Sequence, residues 1–300
     1  MARKNYTFFQ PDRVANLANL NLLARQAVEG FITGLHKSPH HGFSVEFAEH
    51  REYVAGDDLH HMDWQAWGRS DRYLVKLYEQ QTNLRANILM DVSQSMNYQH
   101  TGERSKFEYG AFLAAALAYL MTRQQDRVGL TLFDETIRFE APPASTPAHL
   151  DHLFRNLEAT APGGQTQLAQ TLHSLARRLA RRGLIVLISD LYDDPDAVFK
   201  ALQHFVYHRH QIIIFHVMDP AELSLPQHGA KVFVDLETGE QLRADARHVQ
   251  QAYRHAVDGF ISEYRRRCAQ QNIEYVLATT DTPVERMLLN YLAKRKAVRR

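Results

Sequence analysis

The chain has 300 residues, with 35 lysines and arginines against 34 aspartates and glutamates, a formal charge of +1 at pH 7. Hydrophobic residues make up 45% and charged residues 23%, ordinary globular usage that argues against a histone-like basic protein or an acidic disordered tail. The single cysteine, Cys268, excludes an intrachain disulfide and a cysteine-based zinc site, and it fits a reducing compartment.

Residues 1–11 carry charges with no apolar core behind them, which does not read as a signal peptide. The longest near-continuous apolar run, 111–121, is far short of the roughly 20 residues a spanning helix needs. A cytoplasmic protein without a direct membrane span is expected.

Val14, Leu17, Leu20, Ala24, Ala27, Phe31 and Leu35 recur at three or four, which predicts a helix over 12–35. From Lys37 to Asp71 the pattern changes to short strands and loops, with Trp64 and Trp67 close together, and 73–78 alternates as a strand. Beyond Arg85 the grammar is regular. Apolar runs at 86–90, 128–133, 184–188, 212–218 and 273–278 predict strands, with 136–139 as a hairpin partner of the second. Helices are predicted from Phe107 to Met121, with Phe107, Ala111, Ala114, Leu117 and Met121 on one face, and over 147–157, 168–179, 196–207, 245–271 and 283–294. Short buried runs alternating with helices predict a doubly wound, mostly parallel α/β sheet with helices on both faces over 85–300. An added hairpin is expected near 222–243, with its turn at Glu237-Thr238-Gly239. Residues 1–84 read as a helix and a small β-rich segment packed on that domain.

Ligands of open parallel sheets bind beyond the carboxyl ends of the strands. The first such end is Asp91-Val92-Ser93-Gln94-Ser95, an aspartate and two hydroxyls within five residues. These are hard oxygen donors, suited to magnesium, manganese or calcium. A second loop, Pro162-Gly163-Gly164-Gln165-Thr166, brings another hydroxyl ahead of a helix, and a third strand ends in Ser189-Asp190. An Asx-type turn is the plainer reading of Asp91, Ser93 and Ser95 alone. Asp134, Asp219 and Asp281 also follow predicted strands, so an acidic rim is expected at this edge of a body whose arginines sit on helices and in the tail.

These three pieces resemble the metal-ion-dependent adhesion site of a von Willebrand factor A-type domain. The upstream residues Ser38-Pro39, Gly42, Glu46-Phe47, Arg51, Tyr53, Gly56-Asp57-Asp58, Met62-Asp63-Trp64 and Val75-Lys76 with Tyr78-Glu79 are similar to the family catalogued as domain of unknown function 58. The resemblance implies a von Willebrand A/Rossmann-like fold and a divalent cation, Mg2+ first and Mn2+ or Ca2+ as alternatives. Ser93, Ser95 and Thr166 would ligate it directly, and Asp91 and Asp190 directly or through water. It implies a non-enzymatic interaction module that takes an Asp or Glu side chain from a protein partner, beside a MoxR-type AAA+ ATPase. The chain has no G-x-x-x-x-G-K-[ST] loop, so ATP chemistry would belong to that partner.

The alternative is a metal-dependent phosphoesterase or nuclease using Asp91 and Asp190, although two-metal hydrolysis calls for more shared carboxylates than this motif supplies. Arg177-Arg178, Arg181-Arg182, 265–267 and 294–300 are basic without interleaved aromatics, so solvated helix faces are expected rather than a nucleic-acid surface. Histidines 36, 40, 41, 60, 61, 204, 208 and 210 are expected to be exposed polar side chains, and Cys268 a packed or semi-exposed thiol. Asp63-Trp64 is expected to pack and hydrogen-bond, and Gly56-Asp57-Asp58 to form a turn.

Overall fold

The computed structural model describes residues 45–54, 62–70, 72–80, 84–101, 103–179, 181–225 and 229–298. The expected helix over 12–35, His36, the Ser38-to-Gly42 segment, Gly56-Asp57-Asp58 and His60-His61 lie outside the described residues. The chain divides into two compact units, a smaller one over Phe31–Asn83 and a larger one that includes Leu84–Arg300.

In the smaller unit, β1 (Val45–Glu52) pairs antiparallel with β2 (Leu74–Gln80), with an irregularity between Phe47 and Glu49. Between them lies α1 (Trp64–Ser70). Asp63 caps this helix: its Oδ1 accepts the Ala66 N–H at 3.0 Å, and its carbonyl accepts the Trp67 N–H. Asp63 therefore packs and bonds as expected, whereas Trp64 is exposed and meets Trp67 edge-on; Trp67 stacks on Tyr73.

The larger unit is built on a six-stranded sheet of β3 (Arg85–Asp91), β4 (Arg127–Phe133), β5 (Ile137–Ala144), β6 (Leu184–Ser189), β7 (Gln211–Met218) and β10 (Glu274–Thr279). The order is β10-β7-β6-β3-β4-β5, and every pairing is parallel except β4 with β5. This is the doubly wound, mostly parallel sheet that the alternating pattern predicts. The helices are α2 (Lys106–Arg123), α3 (Pro147–Ala159), α4 (Leu168–Arg178), α5 (Pro195–Tyr207), α6 (Pro220–Ser224), α7 (Ala246–Gln270) and α8 (Val284–Val298). Between α6 and α7, β8 (Ala230–Val234) and β9 (Gln241–Asp245) form the expected antiparallel hairpin.

Strand alternation splits the core in two. Leu89, Ile185, Leu187, Ile212 and Ile214 pack with Leu172 and Leu175 of α4, Phe199 and Leu202 of α5, and Tyr264 and Cys268 of α7. On the other parity, Met90 and Ile188 meet α2 at Gly110, where an added Cβ would lie 3.2 Å from Ile188 and 3.3 Å from Met90. Glycine lets α2 approach the sheet closely. Most of α2 is buried, including Tyr109, Phe112, Leu113, Ala116 and Leu120. This corrects the single apolar face predicted for it: Leu117 and Met121 are only half-buried. A helix apolar on most of its circumference is one that is buried on most of it. Cys268 is fully buried, and so nearly is His210, whose Nε2 lies 2.7 Å from the Leu179 carbonyl; His204 and His208 are exposed as expected. Arg177, Arg178, Arg181, Arg182, Arg265 and Arg266 are exposed. Among the described residues, no helix is long and apolar enough to cross a membrane.

Chain order makes the β3–β6 boundary special. From β3 the chain moves outward to β4, and from β6 it moves the other way to β7. Their adjacent carboxyl ends form the crevice where open α/β sheets bind ligands.

Candidate metal centre

Asp91 closes β3, and Ser189 and Asp190 follow from the end of β6, so the sheet itself brings the two carboxylates to the crevice. Asp91, Ser93, Ser189 and Asp190 are fully buried and Ser95 is nearly so. Asp91 Oδ1 accepts the Ser93 N–H at 2.9 Å, the Asx turn of the plainer reading. The network then runs beyond any turn. Ser189 Oγ donates to Asp91 Oδ2 at 2.7 Å, Ser95 Oγ donates to Asp190 Oδ2 at 2.7 Å, and the Ser93 and Ser95 hydroxyls lie 3.1 Å apart. Leu191, just past Asp190, is buried at φ +61°, a left-handed conformation that costs a residue with a side chain about 1 kcal/mol or more.

The Gly-Gly loop is sewn onto this turn by two backbone bonds, Gly163 N–H to the Val92 carbonyl and Gln94 N–H to the Gly164 carbonyl, each 2.9 Å. Gly164 has φ +77°, and a Cβ there would sit 2.6 Å from Asp134 Oδ2, so both conformation and space demand glycine. Thr166 lies on the same loop, but its hydroxyl faces a residue outside the predicted ligand set. It donates to Glu237 Oε1 at 2.6 Å, and the Thr166 N–H donates to Glu237 Oε2 at 3.0 Å. Four of the five predicted site residues thus share one hydrogen-bonded network, and Thr166 joins them through its loop.

Charge is unbalanced at this point. Lys106, fully buried at the start of α2, donates to Asp190 Oδ2 at 2.8 Å and to Glu222 Oε1 at 2.7 Å. Burial disfavours its ammonium, but Asp190 and Glu222 outweigh that and hold the group above its usual range. Asp91 has no such partner. Burial, and then the Asp190 charge, push its carboxyl up to about 7. His216, also facing Asp190, is driven down to about 4 by burial, so it adds no positive charge at neutral pH. Asp190 and Glu222 therefore share one ammonium, and Asp91 has none.

The donor set fits a divalent cation. Asp190 Oδ1 is buried without a hydrogen-bond partner, and two mutually repelling carboxylates with serine hydroxyls between them are hard oxygen donors. No group of three or more His, Cys, Asp or Glu side chains suited to a metal occurs among the described residues, so hydroxyl oxygens would have to complete the coordination.

Sequence reasoning missed Lys106, Ser189, Glu222 and Glu237. Two of them had a local signal. Ser105-x-x-Glu108 is a capping box, which makes Lys106 a cation in a first helical turn, against the helix dipole. Asp219-Pro220-x-Glu222 is a second capping box, on α6.

Residues 49–263 match a family described as "Protein of unknown function DUF58". The chain belongs to this family. Uncharacterized proteins of Mycobacterium tuberculosis and Mycobacterium bovis are each 28% identical to it over 233 residues, covering 76% of this chain and 72% of the relative. Among solved structures, the conserved hypothetical protein BatB of Bacteroides thetaiotaomicron overlays this DUF58 chain with a TM-score of 0.47 at 16% identity, covering 71% of this chain and all of BatB. The VWA domain of SpRpn10 overlays with a TM-score of 0.41 at 11% identity, covering 70% of this chain and 95% of that domain.

Proposed function

We propose that this DUF58 protein is a non-enzymatic interaction module that binds an acidic side chain of a protein partner through a divalent cation, Mg2+ in the first instance. One observation carries the reading: Asp190 Oδ1 is buried and unpartnered beside a second buried carboxylate, at the crevice where the strand order reverses. Asp91, Ser93, Ser95 and Asp190 would hold the ion, and Thr166 would join from the Gly-Gly loop. When bound, the cation would offer an open coordination position to an incoming carboxylate. The chain's own residues do the rest. Ser189 and the Ser93 N–H orient Asp91, Ser95 and Lys106 orient Asp190, and burial keeps water away from both.

The family resemblance makes a MoxR-type AAA+ ATPase the partner to test first. The experiment is a binding assay between this chain and the MoxR-type ATPase of its own organism, in Mg2+ and in chelator, with Asp91→Ala alongside. Binding in Mg2+ that is lost both in chelator and in Asp91→Ala is expected. Equal binding under all conditions would contradict the metal-bridged reading.

A further inference from the structure

The hairpin tip places a glutamate on the one predicted ligand that stands apart from the buried network. Both Glu237 carboxylate oxygens are engaged by Thr166, at 2.6 Å from its hydroxyl and 3.0 Å from its N–H. The first is short, as expected for a hydrogen bond to an ionised acceptor. The turn that presents Glu237 is built for the purpose. Asp235 Oδ1 accepts the N–H groups of Glu237 and Thr238, each at 2.8 Å, and the Gly239 N–H closes on the Asp235 carbonyl with Gly239 at φ +74°. The hairpin is weakly anchored, because Val232, Val234 and Leu242 on its strands and Leu236 in its turn are exposed. Glu237 also adds a carboxylate to an edge already short of positive charge, and no ion pair compensates it among the described residues.

We infer that Glu237 is the carboxylate this site takes at rest: the β8–β9 hairpin closes the metal centre in cis, and an external acidic ligand must displace it. The inference rests on the metal reading of Asp91 and Asp190 and adds the site's regulation. Since a tethered competitor occupies the carboxylate position, only the undocked fraction of molecules accepts an outside ligand, and apparent affinity falls by that fraction. Partner engagement then has a structural signature, release of the hairpin tip from Thr166. A glutamate that merely caps the start of α4 would satisfy the same hydrogen bonds, but it would be indifferent to the cation and to outside carboxylates.

The test uses the full chain with Mn2+ as the probe ion and acetate as the probe carboxylate. Mn2+ affinity and the water-proton relaxation of bound Mn2+ are measured for wild type and Glu237→Gln, and acetate is then titrated. Glu237→Gln is expected to bind Mn2+ more weakly and to relax water more strongly per bound ion, as water fills the vacated position. It should also take up acetate at about tenfold lower concentration. The Thr166 amide should exchange more slowly when Mn2+ is added to wild type, and show no such slowing in Glu237→Gln. If wild type and Glu237→Gln bind Mn2+ and acetate alike, Glu237 is only a cap, and the metal centre stands without it. If wild type binds no Mn2+, the metal centre fails and the cis closure fails with it.

Discussion

Asp219, just past β7, and Asp91, at the end of β3, sit on the same edge of the same sheet and are both fully buried, yet their surroundings are opposite. Asp219 is saturated. It accepts the N–H groups of Ala221, His100 and Thr101 and caps α6 in a capping box. Burial works against its charge, but these donors prevail and hold its carboxyl below the usual range. Asp91 has one backbone donor, the Ser189 hydroxyl and a contribution from the Ser93 side chain, and it faces Asp190. Backbone N–H groups can neutralise a buried carboxylate when the chain turns around it. Where two strand ends meet, too few N–H groups point inward, and the deficit falls on Lys106 and, in the proposed function, on a divalent cation. The expected acidic rim is thus real in sequence and mostly hidden in structure: Asp91, Asp134, Asp190 and Asp219 are buried, and only Asp281 is exposed.

The sharpest way to break this contrast is to remove the built-in cation. Lys106→Met leaves Asp190 and Glu222 buried without an ammonium, which should cost about 3–5 kcal/mol in urea unfolding at pH 7 in chelator. Mg2+ should recover part of that loss. A loss below about 1 kcal/mol would mean that the ion pair does not hold the crevice.

A second variant asks whether an orphan oxygen alone makes a site. Asp126, at the opposite end of the sheet before β4, also has a buried oxygen without a partner, while its other oxygen accepts the Leu84 N–H at 2.9 Å. Burial pushes its carboxyl up to about 6, with no second carboxylate among the causes. Because the folded value lies above the unfolded one, its contribution is present below about pH 4 and is lost as pH rises through about 6. Relative to Asp126→Asn, wild type should lose about 2 kcal/mol across that window, read as urea midpoints against pH, with no response to Mg2+. Parallel curves would show that the carboxylate is not desolvated as described.

The smallest effect on the cation response belongs to the saturated aspartate. Asp219→Ala removes a cap and the acceptor of three backbone N–H groups, costs about 2 kcal/mol of thermal stability, and should leave any Mg2+ response intact. A lost Mg2+ response would erase the distinction between the two strand ends.

Much of the larger unit was legible in the sequence because its cues are local. Short runs such as Leu184–Ser189, alternating with helices, fit buried strands in a sheet covered on both faces, and Pro147, Pro195 and Pro220 begin helices as their fixed φ favours. The short helix α6 was hidden where the interruption near 222–243 begins, although its capping box is plain once Asp219 is taken as the start. The candidate site was legible where ligands follow strands, at Asp91, Ser93, Ser95 and Asp190. It was illegible where two distant segments meet. Lys106 is 84 positions from Asp190, and Glu237 is 71 from Thr166, so neither contact has a periodicity or spacing to betray it. The burial of most of α2, well beyond one face, was missed for the same reason, since a continuous apolar run does not say how many neighbours will cover it.

Direct titration with Mg2+ and Mn2+ tests most directly whether the Asp91–Asp190 crevice binds one divalent ion. One ion per chain is expected in wild type and in Asp219→Ala, and none in Asp91→Ala. The bound ion should stabilise the fold by about 2.7 kcal/mol at a hundredfold excess over the dissociation constant. A wild-type protein with no heat of binding, and the same melting curve in Mg2+ as in chelator, would contradict it.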